Sequence, residues 1–328
     1  MAVTIRDVAK AAGVSASTVS RALSLPDIVD PCTRERVLKA ADQLGYQPNR
    51  AARGLITGRT GNLGLIVPDL ANPFFPMVIK GIQAQAMDAD YAVFLADSDE
   101  KPALEIGLVR ALAVQVDGII LCSPRMSDAE LREAAGYVPV VLANRRSGLL
   151  PASLVDNAGG LREAVDHLVA LGHRRIGFVA GPRSSWSNGE RLRALRAAVE
   201  AVRVELVEIG NFAPQFEGGV AATDATLASD ITAVITYNDL MALGLIQTLA
   251  SRGIEVPRRL SVIGIDDIPT SAMVHPSLTT LCVPKEQVGR VSVDLMVQLL
   301  GDPQADSRPQ RELPTRLIVR NTTAVPSF

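Results

Sequence analysis

The chain has 328 residues, of which 48% are hydrophobic, 21% charged and 4% aromatic. A chain of this length is expected to form about two domains and can bury a large core, which excludes wholesale disorder. The 33 Lys and Arg against 35 Asp and Glu give a formal net charge of −2. This balance excludes a uniformly basic protein that coats nucleic acid, but it allows a local basic module.

The charge is unevenly distributed along the chain. Residues 1–60 contain nine basic and five acidic side chains, a local charge of +4, so the remaining residues carry −6. A small basic segment next to a larger acidic body indicates a module that binds a polyanion. The alternative is a solvated helical surface, and charge alone fits both interpretations equally well.

Two short helices are predicted at the start of the basic segment. Thr4 is expected to cap a helix that runs through Ala11, Gly13 supplies a turn, and Ser15 caps a second helix over 16–23. Two short helices joined by a glycine-containing turn are typical of a helix-turn-helix. The pattern therefore predicts a small DNA-binding head.

A third helix is predicted after these two. Asp30 is a candidate cap, Pro31 occupies the first helical position, where its missing N–H costs nothing, and Gly45 ends the helix. Three helices can enclose a small core. The residues expected to face this core are Ile5, Val8, Ala9, Val19, Ala22, Leu23, Val37, Leu38, Ala41 and Leu44.

The second helix is predicted to offer its outer face to the major groove of DNA. Arg21 can donate two hydrogen bonds to guanine O6 and N7, and short hydroxyl side chains can contact phosphates or base edges. The alternative for Arg21 is a surface arginine at a helix end. The candidate DNA-contacting residues of the head are Thr4, Ser15, Ala16, Ser17, Thr18, Ser20 and Arg21.

At this point the sequence resembles a known family. The stretches TIRDVAKAAGVSASTVSRAL and TRERVLKAADQLGYQPNRAARGL are similar to the DNA-binding head of the lac-repressor (LacI/GalR-type) family of bacterial transcriptional regulators. The resemblance implies that residues 48–58 form a hinge helix that folds in the minor groove. It places Asn49 and Ala52 on DNA and makes Leu55 a wedge between bases at the operator centre.

The hinge departs from expectation at one position. Gly54 weakens a short helix by roughly 1 kcal/mol relative to alanine. The alternative for this segment is a flexible linker in which Leu55 docks on the body.

From Gly61 onwards, short apolar strands alternate with helical stretches. This alternation predicts parallel sheets covered on both faces, and the number of units favours two α/β lobes. The predicted strands are Leu63–Val67, Tyr91–Ala96, Gly118–Cys122, Val138–Ala143, Ile176–Ala180, Glu205–Ile209, Ala233–Thr236 and Leu260–Ile265.

The predicted fold is therefore an α/β protein with a small all-α helix-turn-helix head and a two-lobed body with parallel sheets, which the resemblance makes similar to periplasmic binding proteins. We expect crossings between the lobes near Asn157–Leu161, Pro284 and Leu317. The expected parts are a head (1–47), a hinge helix and linker (48–60), and an effector-binding and dimerisation domain (61–328) with lobes at approximately 61–157 plus 285–316 and 161–283 plus 319–328.

Ligands of open parallel sheets bind beyond the carboxyl ends of the strands, so the residues after predicted strands are the candidates for a cleft. Amides, a paired arginine and aspartate, and aromatic rings suit a neutral polyhydroxylated ligand. The resemblance makes Arg191 and Asp266 effector contacts and places several others in the cleft. The candidate effector-binding residues are Phe74, Phe75, Ser123, Asn144, Trp186, Arg191, Phe212, Asn238 and Asp266.

Several of these candidates have a structural alternative. Asn238 can cap the following helix, Phe75 can belong to the core, and Asp266 can stabilise a turn. Trp186 can be a stacking platform for the ligand or can pack under a loop edge. Because Arg191 is the one arginine placed in the cleft, a phosphorylated effector is not expected.

The sequence gives no sign of enzyme chemistry or of a metal. It contains no GxSxG, P-loop or GxGxxG motif, its three histidines lack ligand spacing, and Cys32, Cys122 and Cys282 are far apart, which is typical of a reducing compartment. No secretory signal and no transmembrane run is expected. We therefore expect a cytoplasmic, nucleoid-associated protein without a cofactor, a catalytic residue or a membrane partner.

The combined prediction is a homodimeric repressor that reads a palindromic operator and is controlled allosterically by a sugar-like effector. One alternative is a sugar-binding protein of a transport system, which would need export. Others are a corepressor-dependent regulator that responds to a non-sugar metabolite, and a sugar-processing enzyme.

Overall fold

The computed structural model describes residues 3–24, 28–46, 59–302 and 308–327. The chain divides into two compact units, Met1–Gly61 and Asn62–Phe328. We call the first unit the head and the second the body, and each is described separately.

The head contains three described helices, and local hydrogen bonds fix their ends. The backbone N and hydroxyl of Thr4 donate to the Asp7 carboxylate at 2.9 and 2.7 Å. Ser15 accepts from the Thr18 amide at 3.1 Å, and Asp30 accepts from the Thr33 amide at 3.0 Å. These caps satisfy amides that have no partner within the helix. The helices are α1 (Ile5–Ala12), α2 (Ala16–Ser24) and α3 (Pro31–Leu44).

Glycines end the first and third helices. Gly13 and Gly45 have φ values of 65° and 62°, in the left-handed region where a side chain is strained. The predicted helix starts and stops in the head are thus confirmed to within one residue.

The core of the head is small and rich in alanine. Its fully buried members are Val8, Ala9, Ala12, Val19, Ala22, Val37, Ala40 and Ala41. The prediction that Leu38 and Leu44 face this core is wrong, since their side chains are 44% and 37% exposed. Val37, Ala40 and Ala41 occupy the inward stripe of α3, and Leu38 lies about 100° further round the helix from Val37.

Within the residues described, the body contains two six-stranded sheets. The first has the order β11-β5-β4-β3-β1-β2, and all its strand pairs are parallel. Its strands are β1 (Asn62–Val67), β2 (Ala92–Asp97), β3 (Gly118–Cys122), β4 (Val140–Ala143), β5 (Ala152–Val155) and β11 (Gln310–Leu313).

The second sheet has the order β12-β10-β9-β8-β6-β7 and is parallel except for β12, which runs antiparallel to β10. Its strands are β6 (Arg175–Ala180), β7 (Glu205–Asn211), β8 (Ala233–Thr236), β9 (Ser261–Asp266), β10 (Thr279–Cys282) and β12 (Arg316–Ile318). We call the elements of the two sheets, with the helices packed on them, the first and second lobe.

Nine described helices cover these sheets. They are α4 (Phe74–Asp88), α5 (Pro102–Ala113), α6 (Asp128–Tyr137), α7 (Asn157–Ala170), α8 (Trp186–Val202), α9 (Phe216–Ala228), α10 (Asp239–Ser251), α11 (Pro269–Met273) and α12 (Lys285–Gly301). None of the described helices has both the length and the apolar character needed to cross a bilayer. The predicted fold class, α/β with a small helix-turn-helix head and a two-lobed body with parallel sheets, is confirmed.

The chain passes between the two sheets three times, after β5, after β10 and after β11. The last passage lies between Leu313 and Arg316, because Arg316 already pairs with Cys282 in the second sheet. This is slightly earlier than the crossing near Leu317 indicated by the sequence. All three passages lie where β-strands end, so the lobes are joined by short segments.

Helices α4 and α12 pack closely against each other in the first lobe. A Cβ atom on Gly81 would lie 2.0 Å from the Glu286 carbonyl oxygen, and one on Gly289 would lie 2.3 Å from the Val78 carbonyl oxygen. These glycines therefore let the two backbones approach more closely than any side chain would allow.

Candidate functional site

The outer face of α2 carries the candidate DNA-contacting side chains. Ser15, Ser17 and Arg21 are exposed, whereas Ala16, Thr18 and Ser20 are half-buried. The Ser15 hydroxyl lies 2.8 Å from the hydroxyls of Ser17 and Thr18. These hydroxyls form an exposed polar row beside the positive end of the α2 dipole, where anions are favoured.

Arg21 extends along the same face one turn later. Its Nε donates to the Ser17 carbonyl at 3.3 Å, which holds the guanidinium against its own helix. The side chain is nevertheless exposed to solvent. Thr4 caps α1 and is also exposed. The other three candidates for DNA contact, Asn49, Ala52 and Leu55, lie outside the described residues.

The body brings candidate residues together at the carboxyl ends of the strands in both lobes. Ser123 follows β3 and Asn144 follows β4, and both are buried with left-handed φ values of 46° and 56°. The Asn144 side-chain amide donates to the Ser123 hydroxyl at 2.9 Å. Adjacent parallel strands thus place an amide and a hydroxyl side by side at one edge of the first sheet.

Arg191 is the centre of the polar cluster in the second lobe. It is 4% exposed, and its Nε donates to the Asn157 side chain at 3.3 Å. Its Nη1 donates to the Tyr237 carbonyl, and its guanidinium carbon lies 4.8 Å from the centre of the Tyr237 ring. Its Nη2 lies 3.4 Å from Asp266 Oδ1. A guanidinium held by four groups has a fixed orientation, which favours directional hydrogen bonding to a ligand.

Asp266 is a buried carboxyl with an unusual backbone. Its φ is 124°, in the region that L residues rarely adopt. Burial raises its pKa from an ordinary value of 3.8 to about 7, although the nearby Arg191 guanidinium lowers it. The group therefore changes charge close to neutral pH.

Two cations that sequence reasoning did not select hold the loop after Asp266. Lys285, at the start of α12, donates from Nζ to the carbonyl of Asp266 and, at 2.9 Å, to that of Asp267. Arg320 lies 2.6 Å from the Asp267 carboxylate. Asp266 therefore pairs with Arg191 and Asp267 with Arg320. Lys285, just after the second chain passage, and Arg320, after the third, bind this loop.

Asn238 has a structural role in addition to its position beside Arg191. Its Oδ1 accepts from the Met241 amide at 3.0 Å and caps α10, and its Nδ2 donates to the Pro214 carbonyl at 2.6 Å. Asn238 therefore caps the following helix, which is the structural alternative that the sequence offered for it. Phe74 and Phe75 likewise belong to the main core, with ring centres 5.1 Å apart, and Phe212 is half-buried against the second-lobe core.

Comparison with known proteins identifies the domains that carry these residues. Residues 4–49 match the family described as bacterial regulatory proteins, lacI family, and residues 165–323 match the periplasmic binding protein-like domain. Catabolite control protein A of Priestia megaterium is 34% identical over 98% of this chain and 100% of its own length. The chain belongs to the lacI family of bacterial regulatory proteins.

Solved structures of lacI-family proteins share the whole architecture. The lac repressor dimer bound to operator and the anti-inducer ONPF has a TM-score of 0.85 and 30% identity, covering 99% of this chain and 100% of that one. The transcriptional regulator CelR–cellobiose complex has a TM-score of 0.72 and 31% identity, covering 98% and 99%. This lacI-family protein is therefore a DNA-binding transcriptional regulator, as the sequence predicted.

Arg125 is another buried arginine, next to Ser123, that sequence reasoning missed. Its Nε and Nη2 donate to the Glu100 carboxylate at 2.7 and 2.9 Å, and its Nη1 donates to the Ser123 carbonyl at 3.0 Å. Because Glu100 neutralises Arg125, this second arginine does not call for a phosphorylated ligand.

Glu105 supports the segment that carries Arg125. This buried carboxylate accepts from the Arg125 amide at 2.9 and 3.0 Å and from the Met126 amide at 2.8 Å. Burial raises the pKa of Glu105, while the hydrogen bonds from these two amides lower it. In the sequence, Glu105 lies in an amphipathic helix and carries no signal that separates it from a surface glutamate.

Proposed function

We propose that this lacI-family regulator is a dimeric transcriptional repressor whose affinity for a palindromic operator is set by a neutral sugar or sugar derivative bound between its two lobes. The observation that carries the proposal is the buried Arg191–Asp266 pair, 3.4 Å apart, at the carboxyl ends of the second sheet. A guanidinium and a carboxyl side by side can donate to and accept from neighbouring hydroxyls of one polyol.

The charge balance of the cleft supports a neutral effector. Arg191 faces the Asp266 carboxyl and Arg125 faces the Glu100 carboxylate, so each of these two buried guanidinium groups already has a carboxyl partner. An anionic ligand would have to displace one of these partners, which would leave a buried charge without compensation. A polyol needs no such exchange.

The relatives support the same class of effector and the same assembly. The solved relatives include a CelR complex with cellobiose and a lac repressor dimer on its operator. We propose the same assembly and ligand class here, with the head at 1–47, the hinge at 48–60 and the effector-binding domain at 61–328. In this proposal the protein acts in the cytoplasm, at the nucleoid.

The candidate residues take the following roles in this proposal. The residues of the head that contact the major groove or its phosphates are Thr4, Ser15, Ala16, Ser17, Thr18, Ser20 and Arg21. Those that contact the minor groove are Asn49, Ala52 and Leu55. The effector contacts are Phe74, Phe75, Ser123, Asn144, Trp186, Arg191, Phe212, Asn238 and Asp266.

The test combines operator selection with a sugar panel. The full-length protein is first used to select fragments from genomic DNA, and neutral sugars are then screened by thermal shift, because a ligand raises the melting temperature by mass action. We expect at least one sugar both to stabilise the protein and to change its affinity for the selected fragment. A compound that increases DNA affinity would identify a corepressor, and the absence of any sequence preference would contradict the proposal.

Arg191→Ala is the matched variant for the cleft, with Arg193→Ala as its control. Arg193 lies on the same helix, but its side chain is 71% exposed. We expect Arg191→Ala to abolish the thermal shift produced by the sugar and to retain operator binding, because the loss removes a buried donor from the ligand site. A normal sugar response in this variant would remove Arg191 from the site.

A further inference from the structure

Three consecutive residues at the start of α8 contact the opposite lobe. Helix α8 packs on the second sheet, but the indole of Trp186 packs against a hydrophobic cluster of the first lobe that includes Ile66, Leu121 and Leu154. The next residue, Ser187, donates from its hydroxyl to the Asn144 carbonyl at 3.4 Å. The first turn of α8 therefore reaches across the cleft.

Arg125 makes the reciprocal contact from the first lobe. Its Nη1 donates to the hydroxyl of Ser185, the residue that caps α8, at 3.4 Å. The two bonds from its guanidinium to Glu100 and the support of its amide by Glu105 fix its position. A buried arginine held in this way needs no reorganisation to meet Ser185, so little side-chain entropy is lost when the contact forms.

Through Tyr237, Ser185 is also linked to the candidate effector residue Arg191. The Ser185 hydroxyl lies 3.0 Å from the Tyr237 hydroxyl, and the ring of Tyr237 lies against the Arg191 guanidinium. The chain of contacts thus runs from Arg125 in the first lobe to Arg191 in the second. A change in the distance between the lobes would break the first contact of this chain, between Arg125 and Ser185, which is the one that crosses the cleft.

We propose that Arg125, Ser185, Trp186 and Ser187 form an interlobe latch that holds the cleft closed before any effector binds. The latch combines one hydrophobic anchor with two hydrogen bonds, and all of them must break when the lobes separate. An effector then enters only through the open form, so the latch lowers the apparent effector affinity by the fraction of molecules that are open. The proposal does not depend on the identity of the sugar.

Trp186 is the only tryptophan of the chain, so intrinsic fluorescence reports on the latch directly. The experiment uses the full-length protein without sugar and acrylamide as the quencher. We expect Trp186 emission to be blue-shifted and poorly quenched in the wild type. Emission and quenching equal to those of the urea-unfolded chain would overturn the proposal.

Arg125→Met is expected to open the latch while keeping an unbranched side chain of similar length. We expect its quenching constant to rise, because loss of the Arg125 bond to Ser185 shifts the closed–open equilibrium toward the form in which Trp186 is exposed. The radius of gyration from X-ray scattering should rise at the same time, whereas circular dichroism should not change. Stronger quenching with an unchanged radius would indicate local loosening and overturn the latch.

Two further variants keep the test decisive. Arg132→Met changes an exposed arginine on α6 of the same lobe, and its emission and radius should match the wild type. Ser187→Ala removes one hydrogen bond across the cleft without touching the cap of α8, so it should change quenching in the same direction as Arg125→Met but by less. If Arg125→Met does not fold, an unchanged quenching constant in Ser187→Ala refutes the proposal.

Discussion

Arg21 and Arg191 are residues of one type in very different surroundings. Arg191 is 4% exposed and meets Asn157, Tyr237 and Asp266, so its orientation is fixed before any ligand arrives. Arg21 is exposed and donates to the carbonyl of Ser17 in its own helix. The buried arginine is suited to select a small ligand, and the exposed one can reorient to meet a base.

Arg21→Ala tests the DNA-contacting face of α2. We expect a loss of about 1–3 kcal/mol in binding to the selected operator and a relaxed base preference, because a bidentate contact to guanine is removed. Fluorescence anisotropy on operator and on scrambled DNA at one salt concentration measures both effects. Equal losses on the two DNAs would show that Arg21 contacts phosphate alone.

Asp266 makes stability depend on pH. Because its pKa is raised from 3.8 to about 7, the native state binds the proton more tightly than the unfolded chain. Its contribution to stability is therefore complete at low pH and is lost as the pH rises through about 7. Asp266→Asn keeps the shape of the side chain and removes this titration.

We expect Asp266→Asn to gain stability relative to the wild type by roughly 2–4 kcal/mol between about pH 4 and pH 8, because each unit of pKa shift corresponds to about 1.4 kcal/mol. Urea unfolding of both proteins at a series of pH values measures the difference, in which other titrating groups largely cancel. A difference that stays constant with pH would show that Asp266 has an ordinary pKa in the folded protein.

The residues that the sequence did not reveal share one property. Arg125, Glu105 and Lys285 are charged side chains in helical or loop contexts, where the ordinary expectation is a solvated surface. The fold buries them because each meets backbone groups or an opposite charge from a distant part of the chain. Arg191 and Asp266 were selected because they follow predicted strands and because the resemblance indicated them.

At the scale of elements, hydrophobic pattern and capping residues predicted most of the fold. The strands from β1 to β4 and from β6 to β9 were anticipated within about two residues, since apolar runs between turns are a strong signal. The short strands β5, β11 and β12 were not. Their pairing depends on neighbours far away in the chain, as with β11 beside β5.

The contact between α4 and α12 gives a prediction at this scale. We expect Gly289→Ala to destabilise the body by about 1–3 kcal/mol, because the new Cβ would overlap the Val78 carbonyl and force the helices apart. Gly107→Ala is the matched control on α5, where a Cβ would meet no atom within 4 Å.

The control variant should be more stable than the wild type by roughly 0.5–1 kcal/mol, since alanine is the better helix former. Urea midpoints of the full-length variants measure both changes. Equal stability of Gly289→Ala and Gly107→Ala would show that α12 can move away from α4 at little cost.

At the scale of the whole molecule, regulation requires that effector binding in the cleft changes the affinity for operator DNA. Thermodynamic linkage makes this coupling reciprocal, so a sugar that weakens operator binding must itself bind more weakly to the DNA-bound protein by the same factor. Titrating the sugar into the free protein and into the complex checks this equality. Unequal factors would mean that a third state or a change of assembly takes part.

Leu55→Ala tests the predicted role of the hinge, residues 48–58, in binding the operator. The family resemblance makes Leu55 a wedge between bases, and burial of one leucine side chain is worth about 1.5–3 kcal/mol per protomer. We expect weaker binding to the operator, little change on random DNA, and a smaller bend in gel mobility. An unchanged bend would favour the alternative in which the segment is a linker.

The three passages of the chain between the sheets also constrain how this molecule can diversify. Each lobe is assembled from separate stretches of the gene, because β11 rejoins the first sheet and β12 the second. A single recombination break between β6 and β11 would therefore divide both lobes, and one between β1 and β5 would divide the first, whereas a break near Gly61 leaves the head intact. New pairings of DNA target and metabolite are thus expected to arise by exchange of the whole head, while new metabolite preferences arise by point substitution within an undivided body.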